Sequence, residues 1–506
     1  MYKTSCATCH TDFPKLNDFG KAFKDAGFKF PSDDETFLKI PPVLLGAPAQ
    51  KDMFPHSIWP GSIPGMPPIG LRMNNFFTAN GKSRGNFNTL FPPGTVTPYI
   101  PKTDFETGYF SIFTAGNFGS NIAFWVDDDF SIGGDNSAGG LGDAYLKFVN
   151  VSRFLHMPKD SLSFRVGQFE LDLPVSQARN INISPYDIYG QANMGAINPA
   201  FPEQNVNNAS TLSDPAKGFE FSGGHQYGGY HYSLAIVDQN TSGIDQPNND
   251  SAFLPTATGA GYASDSNFKD LYGRFSYRWN LERDSASRNA IQAAGAMGPR
   301  DHTYIAFGSY FFYGRSVQRF TGADTLGNPQ VLTAREPFYR AGGDFNFNYR
   351  NFNLFGVFMH GRDQDLLPVD STGAIIPLPL SLSPVPVGFV HGTPVTFTGG
   401  FVEADYLVLP WVMGIMRWDA VNSTSDRLNA LALNTGVPFV QAFDSTRNRF
   451  TPGVQFLLHA NIKASFEYQV RPQQVVTIVT NPGTGLPMAI HPFRTNQATA
   501  SLEWVY

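Results

Sequence analysis

From about residue 69 to the end of the chain, apolar and polar residues alternate with a period of two, in stretches separated by glycine, asparagine and proline clusters. In 228–238, Tyr230, Tyr232, Leu234 and Ile236 alternate with His231 and Ser233. In 270–279, Leu271, Phe275, Tyr277 and Trp279 alternate with Tyr272, Arg274, Ser276 and Arg278. The same rhythm runs through 343–350 and 463–471, where Phe345, Phe347, Phe466 and Tyr468 face away from Asp344, Arg350, Lys463, Glu467 and Arg471. A soluble sandwich also alternates, but its buried face is rich in Val, Ile and Leu. Here the apolar face is aromatic and the opposite face charged, which suits a barrel with lipid outside and a polar lumen.

The pattern predicts strands near 69–79, 105–116, 120–130, 141–154, 161–170, 216–225, 229–238, 267–280, 301–314, 339–349, 351–362, 399–409, 411–420, 447–459, 461–472 and 494–506. Tight turns are expected after the second, fourth, sixth, tenth, twelfth and fourteenth. Links after the odd-numbered strands are mostly long: 80–104, 171–215, 239–266, 315–338, 363–398, 421–446 and 473–493. Two links break the rule, with 281–300 long and 131–140 short. An even count of about sixteen, with short turns on one rim and long loops on the other, predicts an all-β, transmembrane antiparallel barrel over 69–506. An even count also returns the C-terminus to the rim where the first strand begins. The last strand places Ala498, Ala500, Leu502, Trp504 and Tyr506 on one face. It resembles the C-terminal signal by which bacterial outer-membrane barrels are recognised for insertion.

Residues 1–68 read differently. Leu16, Phe19, Phe23 and Ala26 lie on one face of a short helix within 11–28, ended by Gly27. Nine prolines between 31 and 68 predict extended, irregular chain. Composition fits this division. The chain has 49 Gly, 38 Pro and 46 Phe, is only 15% charged, and has no apolar run of membrane-helix length. A net charge of −6 leaves no basic footprint for nucleic acid.

The candidate chemistry is in the first ten residues, Cys6-Ala7-Thr8-Cys9-His10. C-x-x-C-H is the attachment signature of a c-type haem: two thioethers from Cys6 and Cys9, and His10 on the proximal side of the iron. A zinc site needs further Cys or His ligands nearby, and the chain has only these two cysteines. A thioredoxin-type dithiol needs a βαβ pattern, which does not follow. On the distal side Met66, Met73, His56 and Met53 are the candidates. Methionine is favoured because it raises the haem potential. Haem c is attached outside the cytoplasm, so an export signal is expected to have been removed before Cys6, or the start at Met1 to be misplaced.

Cys6 to His10, followed by Phe13-Pro14, Leu16-Asn17, Phe19-Gly20, Phe23-Lys24 and Gly27, resembles the outer-membrane monohaem cytochrome c–porin fusions associated with extracellular iron(II) oxidation. The resemblance implies a small haem segment, 1–68, lodged in the lumen of a porin-like barrel. It implies electron transfer from Fe(II) to a periplasmic cytochrome c, as an iron(II):cytochrome c oxidoreductase, in outer-membrane lipid with both termini periplasmic. A redox conduit for a partner cytochrome, and a solute porin with a structural haem plug, stay open as alternatives. Lumen-facing Lys147, Arg165, Arg278, Glu403, Asp405, Arg417 and Glu503 are expected to brace the interior or orient haem propionates. Asp127-Asp128-Asp129 and Asp363 with Asp365, at the long-loop rim, are solvated acids or collectors of Fe(II).

Covalent attachment has a direct check. Acid–acetone extraction should leave the haem on the polypeptide, and the double variant Cys6→Ala with Cys9→Ala should release it. Haem that extracts freely from the unaltered protein would exclude the thioether assignment.

Overall fold

Sixteen alternating segments pair edge to edge into one closed antiparallel barrel in the computed structural model. In chain order they are β1 (Ile69–Asn80), β2 (Thr103–Phe118), β3 (Ile122–Ser131), β4 (Gly139–Phe148), β5 (Ser163–Phe169), β6 (Ala216–Gly224), β7 (Gly229–Asp238) and β8 (Asp270–Asn280). They continue as β9 (Tyr304–Ala323), β10 (Pro329–Tyr349), β11 (Phe352–Asp363), β12 (Val395–Leu409), β13 (Val412–Ser423), β14 (Thr446–His459), β15 (Ile462–Gln469) and β16 (Gln497–Val505). The structure describes residues 9–12, 15–29, 69–81, 102–118, 121–131, 139–176, 181–190, 215–238, 269–281, 303–323, 329–364, 366–375, 387–392, 394–424, 446–459, 461–471 and 496–506. It also describes the short pieces 41, 43–44, 48–55, 62–63, 196–197, 205–206, 212, 477–480 and 487–491.

The seam joins the last strand to the first. Glu503 pairs with Asn74 and Leu502 with Asn75, and Leu71 and Tyr506 exchange backbone hydrogen bonds at 2.8 Å. Arg72 reaches the Glu503 carboxylate across this seam at 2.6 Å, and Lys463 of β15 reaches it from the other side at 3.1 Å. Closure leaves no barrel strand with an unpaired edge.

The alternation sorts the side chains as the sequence predicts. On β13, Met413, Ile415, Arg417, Asp419 and Val421 are buried, while Met416 and Trp418 are exposed between them. On β8, Phe275, Tyr277 and Trp279 face outward, and Arg278 is buried within. The outer surface is an apolar belt rich in Phe, Tyr and Trp, as a lipid-facing barrel requires. No helix among the described residues is long and apolar enough to cross a membrane.

Three expectations change. The tight turn expected after β4 is instead the connection 149–162, containing a 3₁₀ turn at Val151–Leu155. β9 and β10 keep pairing as far as Ala323 and Pro329, so most of the loop expected at 315–338 is a long hairpin. Within 1–68, the helix is shorter than expected and the proline-rich stretch is not wholly irregular. Helix α1 covers Asp18–Asp25 and α2 covers Pro48–Met53, and Val43–Leu44 pairs with Ser62–Ile63. Residues 10–16 form a small ribbon, His10–Asp12 against Lys15–Leu16.

The belt predicts a depth-dependent penalty. Phe358, mid-strand on β11, is 57% exposed. Phe358→Arg should cost about 2–4 kcal/mol in equilibrium refolding into lipid vesicles. A neutral result would mean that this face does not meet hydrocarbon.

Candidate functional site

The N-terminal segment sits inside the barrel, near the short-turn rim. Asn17 caps α1, its side chain accepting from the Gly20 amide at 2.8 Å. Gly27, at φ 74°, ends the helix in a Schellman turn: the Phe28 amide reaches the Phe23 carbonyl at 2.8 Å, and the Gly27 amide reaches that of Lys24 at 3.1 Å. The sequence places this stop correctly. The start falls later than expected because the chain before Asn17 is committed to the ribbon.

Both ends of α1 are held by barrel wall, on different sides. At the N-terminal end, Lys15 donates to Asp405 of β12 at 2.7 Å and to Asn353 of β11 at 3.0 Å, and its ammonium lies over the Phe355 ring. Asp18 takes a two-pronged bond from Arg278 of β8 at 2.7 and 2.6 Å, and that guanidinium stacks on Tyr304. At the C-terminal end, Phe28 is buried, its ring centroid 5.8 Å from that of Trp125 on β3, and its carbonyl accepts from Asn117 of β2. The segment is therefore strapped across the lumen.

A second segment, between β5 and β6, enters from the long-loop side. Residues 181–190 include the short helix α3 (Asp187–Gly190), and Ile181, Tyr186, Asp187, Ile188 and Tyr189 are all buried. The amides of Ile183 and Ser184 donate to the Glu467 carboxylate at 2.6 and 3.0 Å. Asn182 and Tyr186 both donate to Glu403, Arg417 donates to the Ser184 carbonyl, and Tyr186 stacks on Phe401 at 3.7 Å between centroids. Burial, reinforced by the Glu403 carboxylate, pushes the Tyr186 phenol well above its ordinary value. By its sequence this segment falls within the long loop 171–215. Its one signal is the compact apolar group Tyr186, Ile188 and Tyr189 within an otherwise polar stretch.

A cavity of about 830 Å³ lies beside α1, bordered by that helix and by the inner faces of β4 to β7, with residues 170–176 over it. Asp172 borders it, 2.9 Å from His231. Burial would raise this carboxyl, but His231, and behind it Arg274 and Arg165, hold it below the usual carboxylate range.

The described part of the motif carries donors of the kind that a covalent haem c takes. The donor chemistry is a thiol and an adjacent imidazole, Cys9 and His10, both partly buried. A side chain at residue 20 would have its Cβ 2.1 Å from the Cys9 carbonyl, so only glycine lets the motif lie directly on α1. Asn17 fixes that approach, its amide donating to the same carbonyl at 3.0 Å. Neither Cys9 nor His10 is among the residues that border the cavity beside the helix.

Cys6, His56 and Met66 lie outside the described residues. Met53, at the end of α2, is 71% exposed. Met73 lies on β1 opposite Trp504, alternating with the inward Arg72 and Asn74, so it belongs to the outer face and does not point toward the lumen. Arg350, expected in the lumen wall, occupies the exposed β10–β11 turn. Asp363 is neither a solvated loop acid nor a cation collector, since it is buried against Arg340 at 2.7 Å. Asp127 accepts the Asp143 amide at 2.5 Å, and Asp365 lies outside the described residues.

No protein-family model and no curated protein matches the chain. Among solved structures it is similar to OmpT of Vibrio cholerae in its trimer form, with 8% identity, TM-score 0.45, and 87% of this chain and 98% of that one covered. It is also similar to Salmonella typhi OmpF in complex with daunomycin, at 9% identity and TM-score 0.45, covering 87% and 97%. A porin mutant of Rh. blastica follows at 9% identity and TM-score 0.37, covering 87% and 100%.

The strap is testable through Lys15. Burial lowers its amine, but Asp405 and Glu403 outweigh this and leave it above the ordinary lysine value. A raised amine contributes fully below the unfolded value of about 10.4 and loses that contribution as pH climbs through the folded one. Docking of the segment should therefore be unchanged between neutral and mildly alkaline pH and weaken only at strongly alkaline pH. Lys15→Met should weaken it at every pH by about 1–3 kcal/mol, read as roughly tenfold faster tryptic cleavage of the N-terminal segment. Cleavage that does not respond to Lys15→Met would show that the pair does not hold the segment.

Proposed function

We propose that this chain is an outer-membrane electron-transfer protein that oxidises extracellular Fe(II) and passes the electron to a periplasmic cytochrome c. One observation carries the reading: the Cys6-x-x-Cys9-His10 motif belongs to a segment strapped inside the barrel by ion pairs to its wall. Bound haem c supplies one-electron exchange. The chain's own residues do the rest. Cys6 and Cys9 would tether the haem, and His10 would offer a ring nitrogen to its iron. Lys15 and Asp18 fix the segment against β12 and β8. Among Met53, Met66 and His56, a thioether is preferred on the distal side for a high potential.

The lumen contents favour this reading over free solute passage. Both α1 and 181–190 occupy the lumen, and the second is packed around Phe401 and Tyr186. The porin alternative has the sixteen-stranded barrel itself in its favour, because barrels of that size leave an aqueous channel when nothing fills it. The hydrocarbon core is roughly 30 Å thick, more than one haem spans. A separate acceptor on the short-turn side therefore belongs to the reading.

Protein reconstituted in liposomes with its long loops outward should reduce enclosed cytochrome c when Fe(II) is added outside. Haem reduction no faster than in denatured protein would remove the iron-oxidase reading. Solute efflux without electron transfer would install the porin alternative.

A further inference from the structure

We propose that the short-turn mouth of the lumen is a docking surface for the acidic face of a soluble redox protein. The inference rests on the electron-transfer reading and adds the surface chemistry of the partner. Five cations from four separate elements border the cavity at this end: Lys21 on α1, Lys147 at the end of β4, Arg153 and Lys159 on the 149–162 connection, and Arg350 in the β10–β11 turn. Among the described residues Lys147, Arg153, Lys159 and Arg350 have no carboxylate within ion-pair distance. Lys21 lies 3.8 Å from Asp18, whose carboxylate is already bound through both oxygens to Arg278.

Several acids border the same cavity: Asp405 is taken by Lys15, Glu220 by Arg165 and Asp172 by His231, while Asp160 lies 3.9 Å from His225 and Asp25 also borders it, so that nine Lys and Arg side chains face seven Asp and Glu. The mouth is thus locally positive on a chain whose net charge is −6. Such a local field steers an oppositely charged partner and fixes its orientation.

The connection that carries two of these cations is built to a shape. Asn150, His156 and Asp160 all have positive φ, at 59°, 56° and 61°. The Asn150 side chain binds the Asp160 amide at 3.0 Å and the Ser152 hydroxyl, closing the segment on itself. This order presents Phe154, Leu155 and Met157 to solvent beside Arg153 and Lys159. Apolar side chains with charge at their margin are the anatomy of a protein–protein contact. Lipid is a weaker occupant, because Arg153 and Lys159 border the lumen cavity rather than the outer belt.

The test uses the full-length haem-loaded protein in nanodiscs and two probes: a small acidic soluble cytochrome c, and the same cytochrome with its surface carboxylates amidated. The acidic probe should bind and exchange electrons with a steep salt dependence, and the amidated probe should not. Arg153→Glu with Lys159→Glu should weaken acidic-probe binding by about tenfold or more and flatten its salt dependence. Lys269→Glu, beside Asp238 at the long-loop rim, should leave binding unchanged. Equal binding of both probes, or insensitivity to the Arg153/Lys159 pair, overturns the proposal. So does Phe154→Ser loosening the protein from lipid without changing probe binding, which would assign the patch to the membrane. Probe binding that persists in protein shown to lack covalent haem would support the docking surface while removing the electron-transfer reading.

Discussion

A backbone amide or carbonyl facing hydrocarbon has no water to bond, and the barrel is the consequence of that constraint. Every strand must find two neighbours, so β16 must meet β1, and it does so through Leu71 and Tyr506 and the pairs behind them. Closure with an even number of antiparallel strands puts the first and last on one rim. It also forces each strand to divide its residues between lipid and lumen. The aromatic belt and the charged interior are two halves of one alternation.

The interior then has its own constraint, because charges withdrawn from water must be paired. Much of this pairing is wall to wall, as with Arg165 and Glu220 or Arg340 and Asp363. Some of it is not. Asp419 lies between Arg417 and Arg449, and the same Arg449 reaches Asp187 of the inserted segment. Arg278 is completed by Asp18, and Asp405 by Lys15, both from the N-terminal segment. Without that segment the wall would hold a buried cation and a buried anion, each short of its partner. The barrel is built around an occupant, and the occupant bears the C-x-x-C-H motif.

How much of this was legible in the sequence follows from where lipid acts. Within the bilayer the outer face must be apolar, so the period-2 signal in 228–238 or 270–279 placed strands closely. Beyond the bilayer that demand lapses while strand pairing continues. Arg315, Ser316, Gln318 and Arg319 carry no apolar face, yet β9 runs through them paired to β10. The opposite failure occurs after Phe148, where Val149, Val151 and Phe154 extend the apolar pattern past the true end of the strand. Met73 reads as a thioether near the barrel entrance, but parity with Arg72 and Asn74 puts it outside. The lumen segment at 181–190 was least visible, because its partners Glu403, Arg417 and Glu467 are more than two hundred residues away in sequence.

The central claim is that a covalently tethered haem lies within the barrel, next to α1. A cryo-EM map of the protein purified from its native membrane tests it most directly. The account predicts porphyrin density continuous with Cys9 on the lumen side of the wall, with Lys15 on Asp405 and Asp18 on Arg278. A barrel whose N-terminal segment lies outside the lumen, or a lumen segment with no porphyrin attached at Cys9, would contradict it.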